Sequence, residues 1–161
     1  MAELLITSSI DPIEEGRVFE NGVLPRHVTI WQQFMLPDVS LGSFEQEVGQ
    51  AVEGFAPLEV LGAERALFGP NDDVPVRRVH VLGSGATLIT MHAVLGEIIN
   101  RHDGQVRNPE WAYENFNPHV TYVDDEALFE YQYVALNTVE LVEKQSTGAK
   151  MIRKLWELEE A

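Results

Sequence analysis

Two stretches of this sequence echo each other, and the echo constrains the fold more than any other feature. Leu24-Pro25-Arg26-His27-Val28-Thr29-Ile30-Trp31 and Asn117-Pro118-His119-Val120-Thr121-Tyr122-Val123 share Pro, His, Val and Thr in nearly one frame. Both runs are rich in β-branched and aromatic residues, so both read as strands. Successive side chains on a strand point to opposite faces. His27 and Thr29 then share one face, with Val28 and Ile30 on the other. His119 and Thr121 share a face in the same way, with Val120 and Tyr122 behind. If the two halves of the chain pack around a pseudo-twofold axis, two imidazoles and two hydroxyls converge in one cleft.

The intervening segments fit such a plan. Glu3–Ser8 reads as a strand, Asp11–Gly22 as an acidic, turn-rich loop, and His27–Met35 as a strand that breaks at Pro37-Asp38. Leu41, Phe44, Val48, Val52 and Phe55 recur at helical spacing, which predicts a helix over Leu41–Phe55. Leu58–Phe68 and Val76–Leu82 read as strands around the turn Gly69-Pro70-Asn71-Asp72-Asp73. Ala86–His102 reads as a second helix, with Leu88, Met91, His92, Leu95, Ile98 and Ile99 on its apolar side and Asp103-Gly104 as its stop. The second motif strand spans His119–Val123 and breaks at Asp124-Asp125. Val134–Val142 and Met151–Leu158 form a terminal pair joined by Gln145-Ser146-Thr147-Gly148. Hairpin-like neighbours point to antiparallel sheets, hence an α+β class rather than a doubly wound parallel sheet.

Two imidazoles, each with an ordinary pKa near ~6.5, can hold opposite protonation states near neutrality. One then serves as general base and the other as general acid across a reacting centre. Hydroxyls donate to anionic oxygens. The substrate such a set suits is a phosphodiester, in which a base activates a hydroxyl or water and an acid protonates the leaving alkoxide. The expected catalytic set is His27, Thr29, His119 and Thr121, with no metal ligand and no cofactor.

The paired motifs His27-Val28-Thr29 and His119-Val120-Thr121, about ninety residues apart, resemble the 2H phosphoesterase superfamily, which includes the 2′-5′ RNA ligase-like proteins and cyclic phosphodiesterases. The resemblance covers most of the chain and is strongest at Asn117-Pro118-His119-Val120-Thr121. It implies a bilobal, pseudo-twofold α+β fold over residues 1–161, with antiparallel sheets, helices packed outside and a central cleft. It also implies metal-independent hydrolysis or transesterification of 2′,3′-cyclic phosphates, 2′-5′ linkages or short cyclic or linear oligonucleotides. His27 and His119 would be the acid/base pair and Thr29 and Thr121 the phosphate binders. The sequence departs from the family in one place: Asp124-Asp125-Glu126 follows the second motif, where relatives often carry a basic residue.

Further substrate contacts are expected from Trp31, Gln33, Tyr113 and Arg78. Trp31 and Gln33 continue the face of His27 and Thr29 on the strand pattern, and Trp31 serves either as a base platform or as packing between lobes. Tyr113 sits with Trp111 and Phe116 in a long loop, as a lid, a base pocket or a satellite hydrophobic cluster. Arg78 reaches the cleft only if its strand neighbours the motif strands. Otherwise it is a surface charge. Arg26 reads as a solvated edge charge, His92 as a packing residue and His102 as a helix-terminal one. Gly83-Ser84-Gly85 matches no phosphate-loop fingerprint and reads as a turn.

Composition narrows the partner. The 161 residues hold 26 acids against 11 bases, a net charge of −15. A chain so acidic does not neutralise the many phosphates of long DNA or RNA, and it is repelled by anionic membrane surfaces. The charge is uneven: residues 61–109 are balanced, while both flanking segments are strongly acidic. Neither motif strand carries an acid from His27 to Met35 or from Asn117 to Val123. A small nucleotide or short oligonucleotide is the expected partner. Cysteine is absent, which excludes disulfides, thiolate metal sites and thiol nucleophiles. With no apolar run near the ~18 residues of a membrane span and no signal-like N-terminus, a cytoplasmic protein is expected. RNA-end processing or 2′-5′ RNA ligase-type activity, and a non-catalytic nucleotide-binding module, are the competing expectations.

Overall fold

The two motif strands are adjacent in the computed structural model. The structure describes residues 1–68, 77–83, 86–121 and 132–159; of these, 63, 64, 66–68, 77–81, 83 and 111 are described by their backbone alone. The strands are β1 (Ala2–Ser9), β2 (Val18–Phe19), β3 (His27–Leu36), β4 (Leu58–Phe68), β5 (Arg77–Gly83), β6 (Gln105–Val106), β7 (His119–Thr121), β8 (Tyr133–Leu136), β9 (Thr138–Lys144) and β10 (Lys150–Glu157). The helices are α1 (Leu41–Val52) and α2 (Ala86–Arg101). Among the described residues the strands form one antiparallel sheet in the order β2-β10-β9-β1-β3-β7-β5-β4-β8, with β6 also on β3. The turn expected at 69–73, the break at Asp124-Asp125, and Ser84 and Gly85 lie outside the described residues.

One correction concerns the C-terminal strands. Val134–Val142 was expected as a single strand but is two, β8 and β9, divided at Asn137. The reason is hydrogen bonding: β8 pairs with β4, whereas β9 pairs with β1 and β10. β8 ends one edge of the strand order and β9 lies beyond β1, yet one residue joins them. The sheet therefore curls to bring the two together. Leu158 N–H donates to Asn137 O at 2.8 Å across this junction.

Both helices cover one face of the sheet. α1 buries Phe44, Val48 and Val52, spaced four apart, and α2 buries Leu88, Met91, His92, Leu95, Ile98 and Ile99. They pack on Leu4, Ile6, Val28, Trp31, Phe34, Leu36 and Val120. Each large apolar side chain removed from water this way stabilises the fold by roughly 1.5–3 kcal/mol. Gly96 lets α2 approach β3, because a Cβ there would lie 2.5 Å from Trp31 Cζ2.

The other face is partly covered by the 10–26 loop. Leu5, Leu24, Val142 and Ile152 form a second small core beneath it, with Ile13, Phe19 and Leu155 alongside. Arg26, expected as a solvated edge charge, instead ties this loop down. Its Nη2 donates to Asp11 Oδ1 at 2.8 Å, and its Nε and backbone N–H both donate to Asp11 Oδ2 at 3.1 Å. The residue before His27 is thus held on both its side chain and its backbone.

Among the described residues no helix is long and apolar enough to cross a membrane.

Candidate active site

Register places the motifs. Val28 is the Cα partner of Val120 in the antiparallel β3–β7 pair, and both are fully buried under the helices. Counting outward, His27 falls opposite Thr121 and Thr29 opposite His119. All four side chains then lie on the face away from the helices, and all four are half-buried. The two histidines are diagonal neighbours, a relation that sets positions about 7–8 Å apart in an antiparallel pair. One phosphoryl group with its entering and leaving oxygens fits such a gap. The four residues expected together from the sequence share one face of the β3–β7 pair.

The two imidazoles are held alike. His27 Nδ1 lies 2.7 Å from Pro25 O, and His119 Nδ1 lies 2.8 Å from Asn117 O. Each ring therefore bonds the carbonyl two residues before it. A carbonyl can only accept, so each Nδ1 carries the proton, and in the neutral ring the lone pair is on Nε2. A proton-transfer group needs this arrangement, with one nitrogen anchored and the other carrying the chemistry. The prolines act differently in the two motifs: Pro25 has its own φ fixed and bears the carbonyl used by His27, whereas Pro118 directly precedes His119 and biases Asn117, whose carbonyl is used, towards an extended conformation. Pro118 O also accepts the Leu82 N–H at 3.0 Å, which fixes the start of β7 against β5.

Sequence reasoning missed the floor beside the first motif. Ser9 is the Cα partner of His27, and Thr7 of Thr29. Thr7 also pairs with Glu140 of β9. Glu140 is fully buried and accepts the hydroxyls of Thr7 (Oε2, 2.8 Å) and Thr138 (Oε1, 2.5 Å). Burial pushes its carboxyl above the ordinary carboxylate value, and the hydroxyls of Thr138, Thr7 and Ser9 and the Ser9 backbone oppose that shift. The available signal was a lone carboxylate inside the apolar run Val139–Val142, a residue type that is rarely buried without donors.

The expected outer contacts are placed differently. Strict alternation fails in β3, because Thr7 pairs with Thr29 but Ile6 pairs with Trp31, which leaves Ile30 as an extra residue. This bulge moves Trp31 to the helix face. There it is 1% exposed, stacks on His92 with centroids 3.9 Å apart, and donates Nε1–H to His92 O at 2.7 Å. Trp31 is therefore core packing, not a base platform on the motif face.

Gln33 lies within a second irregularity, six residues and roughly 20 Å along the strand from His27, and its Oε1 accepts from Arg107 at 3.0 Å. Tyr113 is 49% exposed, but its ring packs edge-on against Trp31 and its backbone bonds His92, so it sits with the helix layer. Arg78 pairs with Leu67 and is in phase with His80, which is opposite Val120. The β5 positions in phase with His119 and Thr121 are Val81 and Val79. The register thus puts Arg78 out of phase with the motif. A groove of about 930 Å³ between α1 and β10, lined in part by Gly49, Glu53 and Trp156, belongs to the helix side as well. Among the described residues no cluster of three His, Asp or Glu side chains is arranged to hold a metal ion.

A curled antiparallel sheet with both helices on one face and the two His-x-Thr strands side by side within it is the LigT-like fold. The chain matches a solved structure described as a phosphoesterase with a TM-score of 0.61 at 17% identity, over 99% of each chain. It matches E. coli LigT complexed with 3′-AMP with a TM-score of 0.62 at 16% identity, over 99% of each. It matches TT0787 of Thermus thermophilus with a TM-score of 0.62 at 12% identity, over 97% of each. At such identities the likeness establishes the fold. No family model matches the sequence, and no curated protein matches it.

Proposed function

We propose that this protein is a phosphodiesterase acting on a small nucleotide or a short oligonucleotide through paired imidazoles, without a metal ion. The observation that carries this reading is the matched anchoring of His27 and His119 by the carbonyls two residues back, on diagonal positions of one strand pair. The solved structures of the same fold support it, since one is described as a phosphoesterase and LigT has been captured with 3′-AMP.

In this reading the phosphorus sits between the two rings. Nε2 of one neutral imidazole takes the proton of a water or a ribose hydroxyl, and the freed oxygen attacks phosphorus. The P–O bond on the far side breaks, and its oxygen takes the proton from Nε2–H of the other ring, which starts as imidazolium. The Thr29 and Thr121 hydroxyls donate to the non-bridging oxygens as charge builds there. Each motif supplies one imidazole and one hydroxyl, so the two halves of residues 1–161 work as one catalytic unit.

The test is turnover of 2′,3′-cyclic nucleotides, 2′-5′-linked dinucleotides and short cyclic oligonucleotides in EDTA. The parent should cleave at least one class, and His27→Ala combined with His119→Ala should abolish cleavage. Full activity in the double variant, or activity only with added metal, overturns the proposal. Tight nucleotide binding that leaves the ligand intact would identify a binding module instead.

A further inference from the structure

We propose that His92, a third histidine outside both motifs, is a positioning residue that sets the relative placement of the two motif strands. Its activity readout rests on the function proposed above, but its structural readout does not.

The case begins with how little else fixes that placement. β3 and β7 share a single paired position, Val28 with Val120, among the described residues. Burial of Val28 and Val120 sets which residues of the two strands face the core, but a single paired position supplies few hydrogen bonds to hold the strands together. His92, from α2, reaches β3 and the loop before β7 at once. Its Nδ1 bonds Ile30 O at 2.7 Å, at the bulge residue directly after Thr29. Its Nε2 accepts the Tyr113 N–H at 2.9 Å, in the loop that leads to His119. The ring is sandwiched between Trp31, at 3.9 Å and 6°, and Phe116, at 4.0 Å and 4°. Phe116 stands three residues before His119, and Trp31 two residues after Thr29. One side chain therefore spans the exit of the first motif and the entry to the second.

Both ring nitrogens have fixed roles. A carbonyl at Nδ1 requires a donor there, and an amide N–H at Nε2 requires an acceptor, so His92 acts as the neutral Nδ1–H tautomer. The ring is 3% exposed, and burial holds its pKa below the ordinary value of 6.5. Of the groups packed on it, Trp31, Phe116 and Tyr113, only the Tyr113 phenol titrates. Tyr113 itself has φ +56°, a left-handed conformation that costs a non-glycine residue of its kind energy, and the bond from its N–H to His92 helps hold it there. The bracket thus meets a locally unfavourable loop at the point where it needs support.

Three substitutions separate the parts. His92→Phe keeps the stack and loses both bonds. His92→Gln can keep an acceptor near Nε2, and His92→Asn a donor near Nδ1. Amide hydrogen exchange at Tyr113 and His119 reads the loop directly, and kcat and KM on the phosphodiester cleaved by the parent read the chemistry. In His92→Phe, with a cooperative melt confirming the fold, Tyr113 protection should fall about tenfold or more. Its kcat should fall about 10–100-fold while KM stays within about threefold, as expected when acid and base are misplaced by a fraction of an ångström. His92→Gln should retain Tyr113 protection and His92→Asn should lose it, and this pair carries the test if the Phe variant does not fold. Unchanged exchange in all variants, or a raised KM with kcat intact, overturns the proposal. If the parent cleaves none of the phosphodiesters, the proposed function fails while the exchange comparison still decides the role of His92.

Discussion

At the scale of single residues, the four motif side chains and the two titratable groups buried among the described residues, His92 and Glu140, make separable demands. Replacing either His27 or His119 by alanine removes one proton-transfer partner and should lower kcat/KM about 10²–10⁴-fold on the cleaved substrate. Thr29→Val and Thr121→Val keep the shape but remove a donor to the phosphoryl oxygens; each should cost about 10²-fold, mostly in kcat. His92 and Glu140 act on stability, with opposite signs. His92 is depressed by burial, so between its folded value and 6.5 the unfolded chain binds more protons. Its contribution to stability is complete above 6.5 and is lost as pH falls toward the folded value. Glu140 is raised by burial, so above its unfolded value of 4.5 the folded state holds a proton that the unfolded chain releases. Stability then declines as pH rises from 4.5 toward the folded value. Urea midpoints across pH 4.5–8 should show this: Glu140→Gln gains on the parent as pH rises, and His92→Phe flattens the loss on the acid side. A Glu140→Gln gap that does not change with pH would show that folding does not shift the carboxyl's titration.

At the scale of elements, most of the architecture was legible and the exceptions share a cause. The spacing of Phe44, Val48 and Val52 gave α1, and the apolar side of 86–102 gave α2 within a residue of its observed end. β4 was read with its observed bounds. The failures came where pairing partners, not local pattern, decide the outcome. One extra residue at Ile30 leaves the composition of β3 unchanged but shifts its phase, so Trp31 was assigned to the wrong face. Asn137 carries no glycine or proline to announce a break, yet β8 and β9 part there because their ladders run to opposite ends of the sheet. The pairing of the two His-x-Thr strands was readable because they are duplicated in sequence. His92 was readable as a packing residue of α2, but its hydrogen bonds to Ile30 and Tyr113 were not, and neither was Glu140, whose burial depends on Thr7 and Thr138. Helix placement can be tested through Gly96. Gly96→Ala would set a methyl 2.5 Å from Trp31 Cζ2, so α2 or the indole must shift. The expected cost is about 1–3 kcal/mol in urea unfolding, with a parallel loss of kcat because Trp31 lies against the His92 ring. Unchanged stability would mean that α2 slides freely over β3.

At the scale of the whole molecule, net charge should govern how substrate arrives. The chain carries −15, and several of its described arginines are already held: Arg26 by Asp11, Arg101 by Glu47, and Arg153 by Glu45 and Glu143. The surrounding field therefore opposes any phosphodiester approaching the motif face, and it opposes longer ones more. Salt shortens the reach of that field from about 30 Å at 0.01 M to about 10 Å at 0.1 M. A basic nucleic-acid enzyme loses affinity over this range, because binding releases counterions from its ligand. This protein should do the reverse. Its kcat/KM for a singly charged cyclic nucleotide should rise modestly between 0.01 and 0.2 M salt, and for a short linear oligonucleotide it should rise several-fold. Long RNA should compete poorly at every salt concentration. The decisive measurement is the sign of the slope of log kcat/KM against log salt for substrates of increasing length. A positive slope that steepens with length fits an acidic body around a histidine-bearing face whose strands carry no carboxylate. A negative slope would locate a cationic track among residues whose charge the ion pairs above do not account for, and it would return long RNA to the list of substrates.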